Sequence, residues 1–246
     1  APFLAKLVLR IRNEGLQRDP IIVAMDDMVV LDGMHRLEAL KRLGLTHAVC
    51  SLVEYMREEV RLLRWSRSVR NPTDALASRL KTDLGLRRTV SVEDALKMLQ
   101  SGKTDSTLVQ KSAAFVRDLA VARGSAVETV KRFDAIVEDE AETEFVDELS
   151  LQRVLKESDR LVLLTPKLDK RRVIGAAKKG ELFPHKTTMH LLDVRPMGVN
   201  FPITRLVEHP PSSDLESILE GREKKIIEPP ANHMGRVYAD KLLVLS

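Results

Sequence analysis

Val29–Gly44 reads VVLDGMHRLEALKRLG, and this stretch decides the fold. Ile21, Ile22 and Val23, followed by Val29 and Val30, are β-branched and suit strand structure arriving at Asp32-Gly33. Beyond His35 and Arg36, the residues Leu37, Leu40 and Leu43 recur at the spacing of one helix face. Lys41 and Arg42 occupy the last turn and Gly44 ends it, as helix C-termini prefer. A glycine followed by the N–H groups of a helix N-terminus suits an anion. An Arg and a His in the first turn add charge-assisted donors for phosphate oxygens. Asp32 beside them can hold a hard metal ion or accept a proton. Strand–Gly–helix corners also occur as ordinary turns carrying surface charge. Here Asp, Gly, His and Arg collect at a strand's C-terminal end, where α/β proteins bind ligands, and this favours a functional site.

The chain of 246 residues is long enough for one elaborate domain or two small ones. With 43% hydrophobic and 31% charged residues it reads as a soluble globular protein, and no apolar run approaches the roughly 20 residues that span a bilayer. The opening APFLAKLVLRIRNEG is amphipathic and carries no secretory cleavage pattern. Cys50 is the single cysteine, which excludes an internal disulfide framework and fits a reducing cytoplasm. In its apolar setting HAVCSLV it reads as a buried structural thiol rather than a nucleophile. A net charge of +4 raises the question of nucleic acid. The basic residues are dispersed, however, and 4% aromatic residues leave no stacking platform, so a small anionic ligand suits the charge as well as DNA does.

Around the corner, Phe3 to Glu14 reads as a helix and Ala48 to Glu54 as a strand. An amphipathic stretch, Glu58 to Trp65, runs toward a break at Asn71-Pro72. Helices are expected over 73–84 and 91–101, the second capped by Ser91 with Asp94. The region from about 103 to 160 reads as helical and charged, with a Ser125/Glu128 capping box, and its acidic run Glu138 to Glu148 as a solvated face or loop. Arg160 to Thr165 is a short buried strand, and Pro166 is expected to start a helix that closes at Lys178-Lys179-Gly180. Strand-like pieces follow near 189–195, 198–201 and 236–245. An N-terminal α/β unit faced by a smaller C-terminal unit is the expected arrangement.

A second chemical cluster lies in GELFPHKTTMH, Gly180 to His190. Lys186, Thr187, Thr188 and His190 follow a proline break, and hydroxyls beside a lysine can satisfy a phosphate or a zwitterionic amino acid. An exposed polar loop entering a strand would look the same. Trp65, the only tryptophan, can be a core residue or the wall of a pocket.

DGMHR followed by LEALKRLG resembles the ParB/sulfiredoxin superfamily. Sulfiredoxins carry a reactive cysteine immediately before the His-Arg pair, where this chain has Met34. ParB partition proteins carry a Glu-Arg-Arg corner and a helix-turn-helix, which the middle of this chain does not show. The free serine kinases, archaeal enzymes and the staphylococcal siderophore-pathway kinase among them, carry DG-x-HR, then a Trp, then a phrase like GE-x-FPPKTTRH. His35-Arg36, Trp65 and GELFPHKTTMH match these in order. The resemblance covers most of the chain, weakly through 75–155.

It implies a mixed α/β fold: a ParB/sulfiredoxin-like nucleotide-binding domain over 1–70, a mainly helical middle over 71–160, and a smaller substrate-binding unit over 161–246 closing over a cleft. It implies a kinase that transfers a phosphoryl group from ATP or ADP to free L-serine with Mg²⁺. Asp32 and His35 would be catalytic, with Asp32 at the metal. Gly33, Met34, His35 and Arg36 would hold the nucleotide, and Trp65, Lys186, Thr187, Thr188 and His190 the serine. The family's catalytic Glu aligns immediately before Ala1, and its Arg before the last His is Met189 here, which removes a bidentate partner. Partners implied are serine, the nucleotide and the enzymes of a biosynthetic pathway, with neither membrane nor nucleic acid. The rival readings are a ParB-like nucleotide-dependent DNA-binding or regulatory protein, and a degenerate kinase serving as a metabolite sensor.

Overall fold

The computed structural model describes residues 2–119, 125–207 and 212–246. It is a mixed α/β structure that divides into two compact units, Ala1–Arg61 with His190–Ser246, and Leu62–Met189. These units cut across the expected segments 1–70, 71–160 and 161–246: the first unit draws on both ends of the chain, and the second is one continuous stretch.

In the first unit the expected corner forms. Strand Ile21–Ala24 lies between Val30–Asp32, antiparallel to it, and Cys50–Val53, parallel to it. Ile22 is in register with Asp32, so the strand ladder delivers the carboxylate to the sheet end. Helix Met34–Arg42 follows at once, with Ala39 and Leu40 buried against helix Pro2–Glu14 through Leu4, Leu7 and Ile11. Phe201, Leu206 and Leu245 close the same core. The later residues add a three-stranded sheet, Val194–Met197 beside Lys241–Leu245 beside Lys224–Ile227, and the hairpin Ala231–His233/Arg236–Tyr238.

In the second unit, strand Arg160–Leu164 is buried at every position. Leu161 and Leu163 face the core built by helices Asp74–Asp83 and Ala126–Val137, through Leu80 and Phe133. Val162 and Leu164 face Ala95, Leu99 and Leu151 on the other side. A strand covered on both faces reads as an unbroken apolar run, which is why RLVLL was legible in the sequence.

The helical reading of 103–160 is corrected. Thr107–Gln110 and Ala113–Val116 form a hairpin, and Thr143–Asp147 pairs with strand Arg61–Arg70. The hairpin's two-residue turn is Lys111-Ser112, with Lys111 at φ 55, so the Asn-Gly or Gly signal that usually betrays such a turn is missing. The acidic run is likewise no loop throughout: Glu144 pairs with Arg160 and Arg70, and Asp147 accepts bonds from the Ser150 N–H and hydroxyl. The stretch Glu58 to Trp65 enters the long strand Arg61–Arg70, and the helix expected at Pro166 begins at Lys170, capped by Asp169. Cys50 is exposed, not buried, although neighbouring atoms still desolvate its sulfur and push the thiol pKa up. Among the described residues no helix is long and apolar enough to cross a membrane.

Candidate active site

The corner is built around the left-handed backbone of Gly33, at φ 94. A Cβ there would meet the Arg36 guanidinium at 2.9 Å, so glycine both accepts the positive φ and makes room for Arg36 to fold back over it. Arg36 donates to Pro20 O at 3.0 Å and lies 3.9 Å from the Asp19 carboxylate. The Leu37 N–H donates to Gly33 O at 2.9 Å, so helical bonding begins there and the turn before it directs its N–H groups outward from the helix end. Met34 and His35 are exposed on that first turn, and the His35 ring meets the Phe3 ring edge-on at 5.3 Å.

Asp32 is held at both oxygens. Oδ1 accepts from the Gly33 N–H at 2.8 Å, and Oδ2 accepts from Arg195 at 2.7 Å. Burial works against its charge, but Arg195 first, then Arg36, the Gly33 N–H and Arg236, outweigh that and hold the carboxyl below its ordinary range. The side chain keeps 48% of its exposure, so an ionised carboxylate is presented to solvent. Arg195 itself is held by Asp240 at 2.6 Å. Neither Arg195 nor Asp240 is singled out by the sequence. DVRPMG and YADKLL carry no motif, and the only available signal was one Arg and one Asp set in strand-like apolar surroundings. Asp19, Asp32, Arg36, Arg195, Arg236 and Tyr238 line one small cleft in this unit.

The second cluster sits in the other unit. Lys186, in the left-handed region at φ 54, places Nζ 3.9 Å from the centre of the Trp65 ring. Strand pairing reinforces the match, since the Trp65 N–H donates to Thr187 O at 3.3 Å. The Thr187 hydroxyl donates to Pro184 O at 2.7 Å, closing the turn, and Thr188 opens the strand Thr188–Leu191. Beneath the turn lies a residue that sequence reasoning missed. Arg67, 2% exposed, donates to Lys186 O at 2.8 Å and His185 O at 2.6 Å, and pairs with Asp134 at 3.2 Å. An Arg inside an alternating strand gave no hint of this.

Trp65, Lys186, Thr187 and Thr188 are thus brought together, while His190 belongs to the first unit. There it is buried, its Nε2 is 2.9 Å from the Tyr55 hydroxyl, and its carbonyl accepts from Arg195 at 2.9 Å. No group of three or more His, Cys, Asp or Glu side chains suited to a metal occurs among the described residues. A lone carboxylate such as Asp32 fits instead an ion that arrives with a nucleotide, because Mg²⁺ commonly takes one or two carboxylates and completes its shell with phosphates and water.

Strand, left-handed glycine, and a helix opened by His and Arg beside a charge-stabilised aspartate make an α/β corner that sets N–H donors next to an ionised carboxylate. The chain is 27% identical over 225 residues to the ATP-dependent L-serine kinase of Staphylothermus marinus, covering 82% of this chain and 83% of that one. It is 22% identical over 218 residues to the ADP-dependent L-serine kinase of Thermococcus kodakarensis, covering 82% and 85%. A solved free serine kinase mutant in complex with ADP shares the fold, with a TM-score of 0.67 at 21% identity over 82% of this chain and 85% of that one. No family model matches. The resemblance read from the two phrases is borne out: the chain is a relative of the free serine kinases.

Proposed function

We propose that this protein is a free L-serine kinase that makes O-phospho-L-serine from serine and ATP or ADP. The observation that carries this reading is the corner itself: an ionised, half-exposed Asp32 fixed beside a helix N-terminus and Arg36, in a chain related along most of its length to serine kinases. In the reaction the serine hydroxyl oxygen forms a bond to the terminal phosphorus of the nucleotide. The bond from that phosphorus to the departing ADP or AMP oxygen breaks, and the hydroxyl proton passes to a base.

Such a transfer is catalysed chiefly by positioning and by offsetting phosphate charge. The N–H groups of Met34, His35 and Arg36, with the Arg36 guanidinium, supply donors for phosphate oxygens at the helix start, while the Gly33 N–H holds Asp32. Asp32 is charged and directed at both oxygens, so it can accept from the serine hydroxyl and steer its lone pair toward phosphorus. Asp32 would also hold Mg²⁺, which when bound offsets phosphate charge. Lys186 over Trp65, with Thr187 and Thr188 beside it, offers a cation, a flat apolar wall and hydroxyl-bearing residues to a small amino acid. The buried His190 ring, engaged by Tyr55, supports this strand more than it offers a ligand contact.

Incubation of the full chain with serine, Mg²⁺ and either nucleotide should give O-phosphoserine, detected by phosphorus NMR. Absence of product with both ATP and ADP sinks the reading. Tight, sequence-dependent shifting of duplex DNA at physiological salt would support the ParB-like alternative in its place.

A further inference from the structure

We propose that Arg195 is a positioning residue that fixes the Asp32 carboxylate relative to the strand end His190–Leu192, and that Asp240 is the buried anchor holding Arg195 in register. The proposal deepens the kinase reading, since it assigns the support of the carboxylate that reading places at the reaction.

All three guanidinium nitrogens of Arg195 are committed. Nε donates to Asp240 at 2.6 Å, one terminal nitrogen to Asp32 at 2.7 Å, and the other to the His190 carbonyl at 2.9 Å. A planar fork with three partners has no rotational freedom left, so it fixes directions as well as charge. Asp240 completes the frame from below. Its second oxygen accepts from the Leu192 N–H at 2.6 Å, and it is 4% exposed. One carboxylate and one guanidinium therefore tie the corner aspartate to the backbone at both His190 and Leu192.

Charge balance shows which way the arrangement points. Asp240 alone balances the charge of Arg195, and the remaining N–H groups of a buried guanidinium still need acceptors. The additional bond reaches Asp32, the member of the triad that remains open to solvent. Asp32 is consequently held at Oδ1 by the Gly33 N–H and at Oδ2 by Arg195, two directional donors on separate elements. Arg195, with a side chain only 9% exposed, is too enclosed to serve as a substrate ligand and acts through Asp32.

The test uses Arg195→Lys, which keeps charge and loses the fork, Arg195→Gln, which loses both, and Asp240→Asn, which loosens the anchor. The first readout needs no activity: the Gly33 amide resonance in a ¹⁵N–¹H spectrum reports its bond to Asp32. It should move in Arg195→Gln, toward its position in Asp32→Asn, and move less in Arg195→Lys and Asp240→Asn. The second readout is kinetic. Arg195→Gln should lower kcat by about 10- to 100-fold, the scale usual for a residue that orients a ligating group. KM for serine and nucleotide should be unchanged, and the loss should vanish when Asp32 is already Asn, because residues acting as a unit are not additive. A Gly33 resonance unmoved in the folded Arg195 variants, or losses that multiply in the double variant, would overturn the proposal. If Arg195→Gln does not fold, Arg195→Lys and Asp240→Asn decide it by the same two readouts. Should the unaltered protein make no phosphoserine, the kinase reading fails while the Gly33 resonance still decides what sets Asp32.

Discussion

Two buried arginines each support one of the candidate clusters, Arg195 in the first unit and Arg67 in the second, and they do so by different chemistry. Arg195 directs two of its three bonds to carboxylates, so it sets the charge and orientation of a side chain, Asp32. Arg67 is anchored by Asp134 and directs its remaining bonds to the main-chain carbonyls of His185 and Lys186, so what it sets is a backbone path. The first controls electrostatics and the second controls conformation. Perturbing the Arg195 side should therefore register in turnover, and perturbing the Arg67 side should register in stability and substrate affinity.

The largest expected effect breaks the conformational half. Arg67→Met leaves the His185 and Lys186 carbonyls without their buried donor, at about 1–3 kcal/mol for each. Urea denaturation should show that loss, with a raised KM for serine in the surviving fold. A variant as stable as the parent would show that Arg67 does not hold the turn.

Next comes the electrostatic half. Asp32→Asn keeps the shape and removes the charge, and should cut kcat by about 10²-fold, or ~2.7 kcal/mol. Nucleotide binding by isothermal titration should persist in part, because Gly33, His35 and Arg36 remain. Full activity would remove Asp32 from the reaction.

Lys186→Ala sharpens the contrast at smaller scale. It should raise KM for serine by about tenfold, equivalent to ~1.4 kcal/mol, with nucleotide affinity nearly unchanged. Loss of nucleotide binding alone would reverse the division of roles.

The smallest effect is on stability against pH. The folded Asp32 pKa lies below its unfolded value near 3.9. Its contribution is therefore present above about pH 4 and disappears as pH falls through the folded value. Asp32→Asn should flatten that acid limb in thermal melts, and an identical limb in both proteins would assign it to other carboxylates.

The corner was legible because every local feature agreed: β-branched strand, glycine, periodic leucines and a terminal Lys-Arg-Leu-Gly are all short-range signals. The hairpin at Lys111 was not, since a lysine there adopts a backbone usually advertised by Gly or Asn. Nor was the strand Thr143–Asp147, whose acidic residues look like a solvated run until Arg70 and Arg160 are seen opposite. Trp65 and Lys186 could be paired only through the phrase they belong to, and the structure adds the ring contact itself. Arg67, Arg195 and Asp240 stayed hidden for one reason: a buried charge is recognised by its partner, and these partners lie 67, 163 and 45 residues away in sequence.

The discontinuous first unit also sets a timetable for the ribosome. Domains fold as units while they emerge. The stretch Leu62–Met189 contains all of its own unit and can complete it early. The corner at Asp32 is translated long before it but must wait for Arg195 and then Asp240 to be made. Until then its carboxylate lacks the Arg195 donor that fixes its direction, so the nascent chain carries an assembled Lys186 turn well before it carries a finished corner.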